Sequence, residues 1–317
     1  MRNAVIHPTN KSMNLKVERH IQGKWLEKSD NGIIDILKDL HHAILNIAPH
    51  NKDKFDASFP KFNIEYVDDD KWILVAYPKY EHIRISRGVA ELVWCVAYSY
   101  VNLYTEFAEG KRFFAGKNKF SLHQSKNSSN SSKLLQWAYE RWFNNNQSAW
   151  PSDLPRPIFN PAKGSKENVA KELTFVILSF FIHHELAHIK LHKDPKDNIQ
   201  EEKEADAFAT DWILDSGLDE HNALFEKQAI GIALGFDILI ARCIHTGDCG
   251  GFSHPHSFDR LISNLSRYIN DDNHRVWSLL CFTLKLHLDT GGYKTPEIEY
   301  ESFRECIDSY HRVVKGV

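Results

Sequence analysis

One long apolar segment limits the possible folds of this chain most strongly. From about Lys166 to Leu191 the residues have helical spacing, and the apolar run from Leu173 to Ile182 leads directly into a histidine-rich stretch. Residues four apart lie on one face of an α-helix, one turn apart, so His184 and His188 would direct their rings to the same side. The segment therefore predicts a buried helix that carries two neighbouring imidazoles.

The spacing of these two histidines is typical of a metal site. Two imidazoles one turn apart can bind a single zinc ion about 2.0 to 2.1 Å away. Glu185 follows His184 directly and would point beside the ion, where its carboxylate can take a proton from bound water. The His-Glu-x-x-His motif therefore predicts zinc with Glu185 as general base. So short a motif also arises by chance, and a third ligand is needed to support it.

The next predicted helix offers acidic residues in suitable positions. Near its start, Glu202 and Asp206 lie four apart on a common face. The connector is short and contains Pro195, so the two helices should be antiparallel neighbours. We expect Glu202 to be the third zinc ligand, with Glu201 and Glu204 as alternatives in a shifted register. Asp206 would accept the free ring N–H of a liganding histidine.

Other interpretations of these residues remain open. Acidic residues at a helix start are favoured by the helix dipole even without a metal. Asp194 could be the third ligand if the chain turned sharply, but Leu191 resists the left-handed backbone of such a turn. His192 is expected near the metal rather than on it, because a catalytic zinc ion keeps one position for water. His183 is expected to be a packed neighbour.

A second histidine motif lies downstream, in residues 253–257 (SHPHS), before another predicted helix. Hydrolysis of an amide bond needs a donor to the oxyanion that forms on the carbonyl, and a loop histidine can supply one. We expect His254 in this role, with His256 as the alternative and supporting residue. The competing interpretation is a capping loop with exposed histidines.

Composition and periodicity predict a globular α+β protein that is mainly α-helical. Segments 62–67, 72–77 and 80–86 are short and rich in β-branched and aromatic residues, which predicts a small antiparallel sheet toward the N-terminal side. Residues 121–132, rich in Ser, Asn and Lys, should be a mobile loop. Helices are expected over 33–48, 88–107, 133–143, 166–191, 198–214, 221–245, 258–268, 275–288 and 300–314.

A proline-rich connector, residues 150–161, predicts a division of the chain. Residues 1–160 would form an N-terminal α+β region with a substrate-binding or regulatory role, and residues 161–317 a helical catalytic region. The two regions can also pack as one domain. Nothing in the sequence indicates the oligomeric state.

The sequence favours a cytoplasmic protein without nucleic-acid or membrane partners. Its net charge is only -3, so no strong field attracts nucleic acid or anionic lipid. Neither a secretory signal nor an uninterrupted apolar span of about 20 residues is evident. The 5 cysteines lack a CxxC pair, which fits reduced thiols in a cytosolic compartment. These are Cys95, Cys243, Cys249, Cys281 and Cys306.

Three motifs together resemble the gluzincin metallopeptidases. HExxH at His184, ExxAD at Glu202 and His254-Pro255 followed by Arg260 are similar to the pattern of the CAAX prenyl protease and HtpX group. The ImmA-like regulators show the first two motifs. The resemblance implies zinc bound by His184, His188 and Glu202, with base catalysis by Glu185 and support from Asp206.

Within that group the chain looks most like the Lit-type phage-exclusion peptidases. The stretch HHELAH, followed by EKEAD and then Asp211-Trp212, carries this resemblance, whereas residues 1–165 carry no family motif. The resemblance to the Lit-type peptidases implies a zincin-like helical catalytic region. It also implies a cytosolic protease that cleaves elongation factor Tu during phage infection.

Two alternatives to this function are left open. One is an ImmA-like regulatory peptidase that cleaves a repressor, although no basic helix-turn-helix pattern of its usual partner module stands out. The other is a non-catalytic regulatory or scaffold protein in which zinc staples two helices. A structural zinc site of that kind would have four protein ligands, with His192 as a candidate for the fourth.

Overall fold

A computed structural model describes residues 32–59, 62–113, 126–144, 148–191, 199–250, 254–296 and 298–316. Two short 3₁₀ segments, Pro49–Lys54 and Pro78–Tyr80, connect regular elements. In chain order the helices and strands are α1 (Gly32–Asn46), α2 (Phe55–Ser58), β1 (Asn63–Val67), β2 (Leu74–Tyr77), β3 (His82–Ser86), α3 (Arg87–Phe113), α4 (Lys126–Phe143), α5 (Lys166–Leu191), α6 (Ile199–Leu214), α7 (Ala223–Thr246), α8 (Ser257–Leu265), α9 (Arg275–Thr290) and α10 (Phe303–Lys315).

The predicted α+β class, mainly α with a small sheet toward the N-terminal side, is confirmed by these elements. The prediction for one polar segment is wrong. Residues 126–132 were expected in a mobile loop but form the first turns of α4. Ser128 and Ser131 are each only 1% exposed, so their small side chains let this polar stretch pack closely against the protein. Residues 121–125 of the expected loop lie outside the described residues.

The sheet is mixed rather than antiparallel. Its strand order is β1-β3-β2, with β3 antiparallel to β2 but parallel to β1. The prediction is therefore correct for one strand pair and wrong for the other, because β3 inserts between the two strands that precede it. The Ser86 hydroxyl accepts from Ile73 N–H and donates to the Lys71 carbonyl, which ties the crossing segment to the end of β3. Because β3 is the central strand, β2 is an edge strand.

Helix α5 is the centre of the protein. Its buried residues run from Ala170 to Ala187 on all sides, and it packs against α1, α3, α6 and α7. A helix that is apolar all round must be enclosed by its neighbours. In α7, a Cβ at Gly231 would lie 2.3 Å from Val176 Cγ1, so glycine permits the close approach of α7 to α5. This packing fixes the helix that carries the histidine motif.

The hydrophobic core continues across the proposed division of the chain. One cluster of buried side chains contains Leu37 and Trp94 together with Ile177 and Phe236. The two-region division at residue 160 stays a prediction.

Among the described helices, one is long and apolar enough to cross a membrane. This is α7, and 72% of its most apolar window is buried inside the fold. A core helix passes the same test of length and composition, so α7 is weak evidence for a membrane span.

Cys243 and Cys249 form a disulfide, so the prediction of reduced thiols is wrong for this pair. Helix α7 ends just after Cys243, and Gly247 adopts a left-handed conformation with φ of 74°. This turn folds the chain back within a few residues, which brings the two sulfurs together. The remaining cysteines, Cys95, Cys281 and Cys306, are not in a disulfide.

The disulfide predicts a definite thiol count. Unfolded, unreduced protein treated with iodoacetamide should gain three alkyl groups, and protein reduced beforehand should gain five. Intact-mass spectrometry gives both numbers. Five groups without reductant would show that the bond does not form in the purified protein.

A network of buried polar side chains joins four helices. The Tyr100 hydroxyl lies 2.9 Å from that of Tyr139 and 2.6 Å from His287 Nε2. His287 Nε2 is 3.0 Å from Asp237 Oδ2, and Thr283 donates to Asp237 Oδ1 at 2.9 Å. Burial raises the pKa of Tyr100 well above its ordinary value. The network connects α3, α4, α7 and α9 within the core.

Removing the carboxylate at the centre of this network should destabilise the protein. We expect Asp237→Ala to lower the free energy of unfolding by about 3 to 5 kcal/mol, because it leaves buried donors without an acceptor. Asp289→Ala is the control, since Asp289 pairs with Lys285 on the surface of α9. The control should change stability by less than about 1 kcal/mol. Urea unfolding measures both, and equal effects would contradict the structural role of Asp237.

Candidate active site

Helices α5 and α6 carry the predicted metal ligands and run antiparallel. His188 Nε2 lies 3.3 Å from Glu202 Oε1, and His184 Nδ1, one turn earlier in α5, lies 3.0 Å from Asp206 Oδ1, one turn later in α6. Later positions in α6 thus face earlier positions in α5, as the short connector predicts. The connector itself, with His192 and Asp194, lies outside the described residues.

Three predicted ligands meet at one point. The ligand atoms of His184, His188 and Glu202 all lie within 4.8 Å of one another. The two Nε2 atoms are 3.2 Å apart, and Glu202 Oε2 is 3.5 Å from His184 Nε2. The register alternative Glu204 instead accepts a hydrogen bond from Gln200 on the exposed side of α6. Among the acidic residues that start α6, the structure brings Glu202 to the histidines.

The separations within this trio fit a small divalent ion. Tetrahedral ligands 2.0 to 2.1 Å from an ion lie about 3.3 to 3.4 Å from one another. The three closest separations here are 3.2, 3.3 and 3.5 Å. Two imidazoles and a carboxylate suit zinc and related transition metals. The residues therefore fit such an ion.

Asp206 supports the trio from behind. Its carboxylate is 1% exposed and lies against His184 Nδ1, while Arg260 donates to both of its oxygens at 2.6 and 2.7 Å. Burial would raise the pKa of Asp206, but Arg260 and His184 hold it below its ordinary value. An ionised acceptor on Nδ1 leaves Nε2 of His184 free to bind a metal.

The carboxylates and imidazoles of the site shift one another's pKa values. Burial alone would raise the pKa of Glu202, but hydrogen bonds with His184 and His188 outweigh burial and hold this pKa well below its ordinary value. Burial alone would lower the pKa of His184, but its hydrogen bonds with Asp206 and Glu202 outweigh burial and raise this pKa to about 10. The carboxylates are thus ionised at neutral pH. Binding of a metal needs neutral imidazoles, so metal uptake should release protons.

Glu185 lies beside the trio and outside it. Its Oε2 accepts a hydrogen bond from the backbone N–H of Ala76 in β2, at 2.6 Å. Burial raises the pKa of Glu185, while the charges of His184 and His188 oppose that rise. The carboxylate is thus placed between the ligand histidines and the edge strand.

The two downstream histidines occupy different places. His254 lines the cleft, with Nε2 at 3.6 Å from Glu202 Oε2, and its side chain is 54% exposed. His256 instead caps α8, where its Nδ1 accepts from Phe258 N–H, and its ring lies beside that of His311. The structure therefore brings the first choice for the oxyanion donor to the cleft and the second to a helix end. His183 is fully buried, and its ring stacks on Trp212.

The cleft around these residues has a volume of about 650 Å³. Its apolar lining residues include Trp72, Phe180, Phe181 and Leu239, and the rings of Trp72 and Phe181 are in contact. The charged groups described above and strand β2 also line the cleft. Such a cleft can accept a chain segment with an apolar side chain beside the polar centre.

Comparison with known proteins agrees with this geometry. A family model described as Peptidase U49 matches residues 83–280, a span that contains the ligand trio, Glu185, Asp206 and Arg260. The chain belongs to the Peptidase U49 family. Over 257 residues this U49 peptidase is 27% identical to a cell death peptidase of Escherichia coli strain K12. The aligned region covers 76% of this chain and 86% of the relative. No solved structure matches it.

These matches confirm the predicted relationship to the Lit-type peptidases. The U49 protein is thus a peptidase, and proteins or peptides are its substrates.

Sequence reasoning missed three parts of the U49 site. Ala76 contributes only its backbone N–H, which leaves no trace in the residue type. The apolar lining of the cleft includes Trp72 and Leu239, which are distant in sequence and follow no motif. Arg260 was noticed as part of a motif, but only the fold shows that it holds Asp206.

Asp206 should matter for metal affinity without being a ligand. We expect Asp206→Asn to weaken zinc binding by about 10- to 100-fold, because His184 loses the carboxylate that orients its ring. Glu204→Gln on the exposed face of α6 makes the same change of charge and should leave affinity unchanged. Competition with a chelator measures both variants. Equal affinity for Asp206→Asn and wild type would contradict the orienting role.

Proposed function

We propose that this U49 peptidase is a zinc-dependent endopeptidase with Glu185 as its general base. The observation that carries the proposal is the convergence of His184, His188 and Glu202 beside a carboxylate that is not a ligand. Among the described residues three ligands converge, which leaves a fourth position for water, whereas a structural zinc site is closed by four. The separations among the three residues, 3.2 to 3.5 Å, support zinc as the ion.

Zinc held by these residues would polarise the substrate carbonyl and lower the pKa of bound water toward about 7. The protein residues then have separate tasks. Glu185 takes the proton from the attacking water and delivers it to the leaving amine. His254, whose Nε2 lies 3.6 Å from Glu202 Oε2, donates to the carbonyl oxygen as negative charge forms on it. Asp206 and Arg260 keep His184 in its ligating orientation.

The cleft is suited to a chain segment within a protein. Ser86 N–H donates to the Ile73 carbonyl, so Ile73 faces β3, and the backbone groups of Leu74 and Ala76 face the free edge. The Ala76 N–H of this edge is taken by Glu185, and the remaining backbone groups can pair with an extended polypeptide while an apolar side chain lies against Phe180 and Phe181. This arrangement supports internal cleavage of a protein substrate.

Elongation factor Tu is the first substrate to test. The motif resemblance to the Lit-type phage-exclusion peptidases, described above, is the basis of this part of the proposal. Action on a translation factor also implies a cytoplasmic location.

A glutamine at the base position tests the proposal. We expect Glu185→Gln to lower kcat for casein or elongation factor Tu by about 10²- to 10⁴-fold, because water loses its proton acceptor. The variant should still contain one zinc ion per chain, since Glu185 is not a ligand. Cleavage assays and elemental analysis measure the two properties.

The control is Glu172→Gln. Glu172 lies on α5, as Glu185 does, and its exposed carboxylate pairs with Lys227. The control variant should cleave like wild type. Equal cleavage by Glu185→Gln and wild type would eliminate the proposed base.

Bound zinc without an exchangeable water, together with no cleavage of any protein, would instead favour a zinc-stapled regulatory protein. Proteomics of cells expressing wild type or Glu185→Gln would show whether the cleaved protein is elongation factor Tu or a repressor, as expected for an ImmA-like peptidase.

A further inference from the structure

The base and the metal ligands are held by different parts of the fold. His184 and Glu185 are adjacent in α5, but His184 is fixed by Asp206 from α6 and Glu185 is bonded to Ala76 from the sheet. Within the described part of the chain, the Ala76 N–H is the hydrogen-bond donor that holds the Glu185 carboxylate. This contact decides where the carboxylate points relative to the ligands.

The Ala76 N–H is available because of its place on β2. Residues of a strand alternate in the direction of their backbone groups, and Ile73 faces β3 through its carbonyl. Ala76, three residues later, therefore faces away from β3, toward α5. The N–H contributes no hydrogen bond to the sheet, so its bond to Glu185 Oε2 does not compete with strand pairing.

Strand β2 is firmly anchored at its start. Ser86 bonds to both Ile73 and Lys71, and the loop that precedes β2 is tied down by ion pairs of Arg87 with Asp68 and Asp70. A Cβ at Gly88 would lie 2.2 Å from the Asp70 carbonyl oxygen, which shows how closely this loop lies against the start of α3. An N–H on a fixed strand is a pre-organised donor.

We propose that the backbone N–H of Ala76 is a positioning group for catalysis that holds Oε2 of Glu185 and leaves Oε1 directed at the attacking water. The inference rests on the proposed function of Glu185 as the base. It adds the sheet to the catalytic apparatus, since a shift of β2 moves the base without moving a metal ligand.

Proline at position 76 removes this donor selectively. Edge strands tolerate proline where the N–H points away from the sheet. We expect Ala76→Pro to lower kcat by about 10- to 100-fold with a smaller change of KM, because the base loses its orientation. Zinc content should stay at one ion per chain. The visible spectrum of the cobalt-substituted enzyme should also be unchanged, since the ligands are untouched.

Ile64→Pro is the matched control. Asn63 N–H donates to the Glu81 carbonyl beside β3, so Ile64 faces the opposite, outer edge of β1. This variant carries the same backbone change on the same sheet, away from the cleft. It should keep the kcat of wild type. If Ala76→Pro does not fold, a backbone ester at position 76, made with the α-hydroxy analogue of alanine, removes the N–H without the proline ring.

A double-mutant cycle separates this proposal from the proposed function. If Ala76 acts through Glu185, Ala76→Pro should have no further effect on kcat in the Glu185→Gln background. An equal loss in both backgrounds would overturn the positioning role while leaving Glu185 as the base. Full activity of folded Ala76→Pro or of the ester protein would overturn it as well. Wild-type activity of Glu185→Gln alone would instead refute the proposed function.

Discussion

The buried carboxylate of Asp206 is the interaction on which the site depends. It lies between His184 of α5 and Arg260 of α8, so three helices meet at one ionised group. A buried charge is tolerated only when hydrogen-bonded partners surround it, and the bidentate arginine together with the imidazole satisfies that condition. The same bonds that make its burial possible also fix the ring of His184 and bring α8, with its preceding histidine loop, to the cleft.

Two kinds of structural element share the work of the site. The helices α5 and α6 hold the metal-ligand trio through side chains that converge across an antiparallel pair. The sheet contributes a backbone group and a rim, through the free edge of β2. Because α5 is enclosed by other helices and by the sheet, the position of its histidines is set by the whole core rather than by the cleft itself. The reactive groups are therefore arranged before a substrate arrives.

Much of this arrangement could be predicted from the sequence because it is helical and local. The spacing of His184 and His188 and the length of the connector before Glu202 determine which side chains can meet. The sheet was less predictable, since nothing in the strand patterns shows that β3 inserts between β1 and β2. The disulfide was missed because it depends on a left-handed turn at Gly247, and the role of Ala76 because a backbone N–H is common to nearly every residue.

The polar network around Asp237 has a consequence for how this protein folds. Its members come from α3, α4, α7 and α9, and none of them lies near water that could replace a missing partner. A partly assembled core would leave a buried carboxylate or phenol without its hydrogen bonds, so intermediate arrangements of these four helices are costly. Docking of the helices should thus be cooperative, with a single sharp transition that joins segments from both halves of the chain.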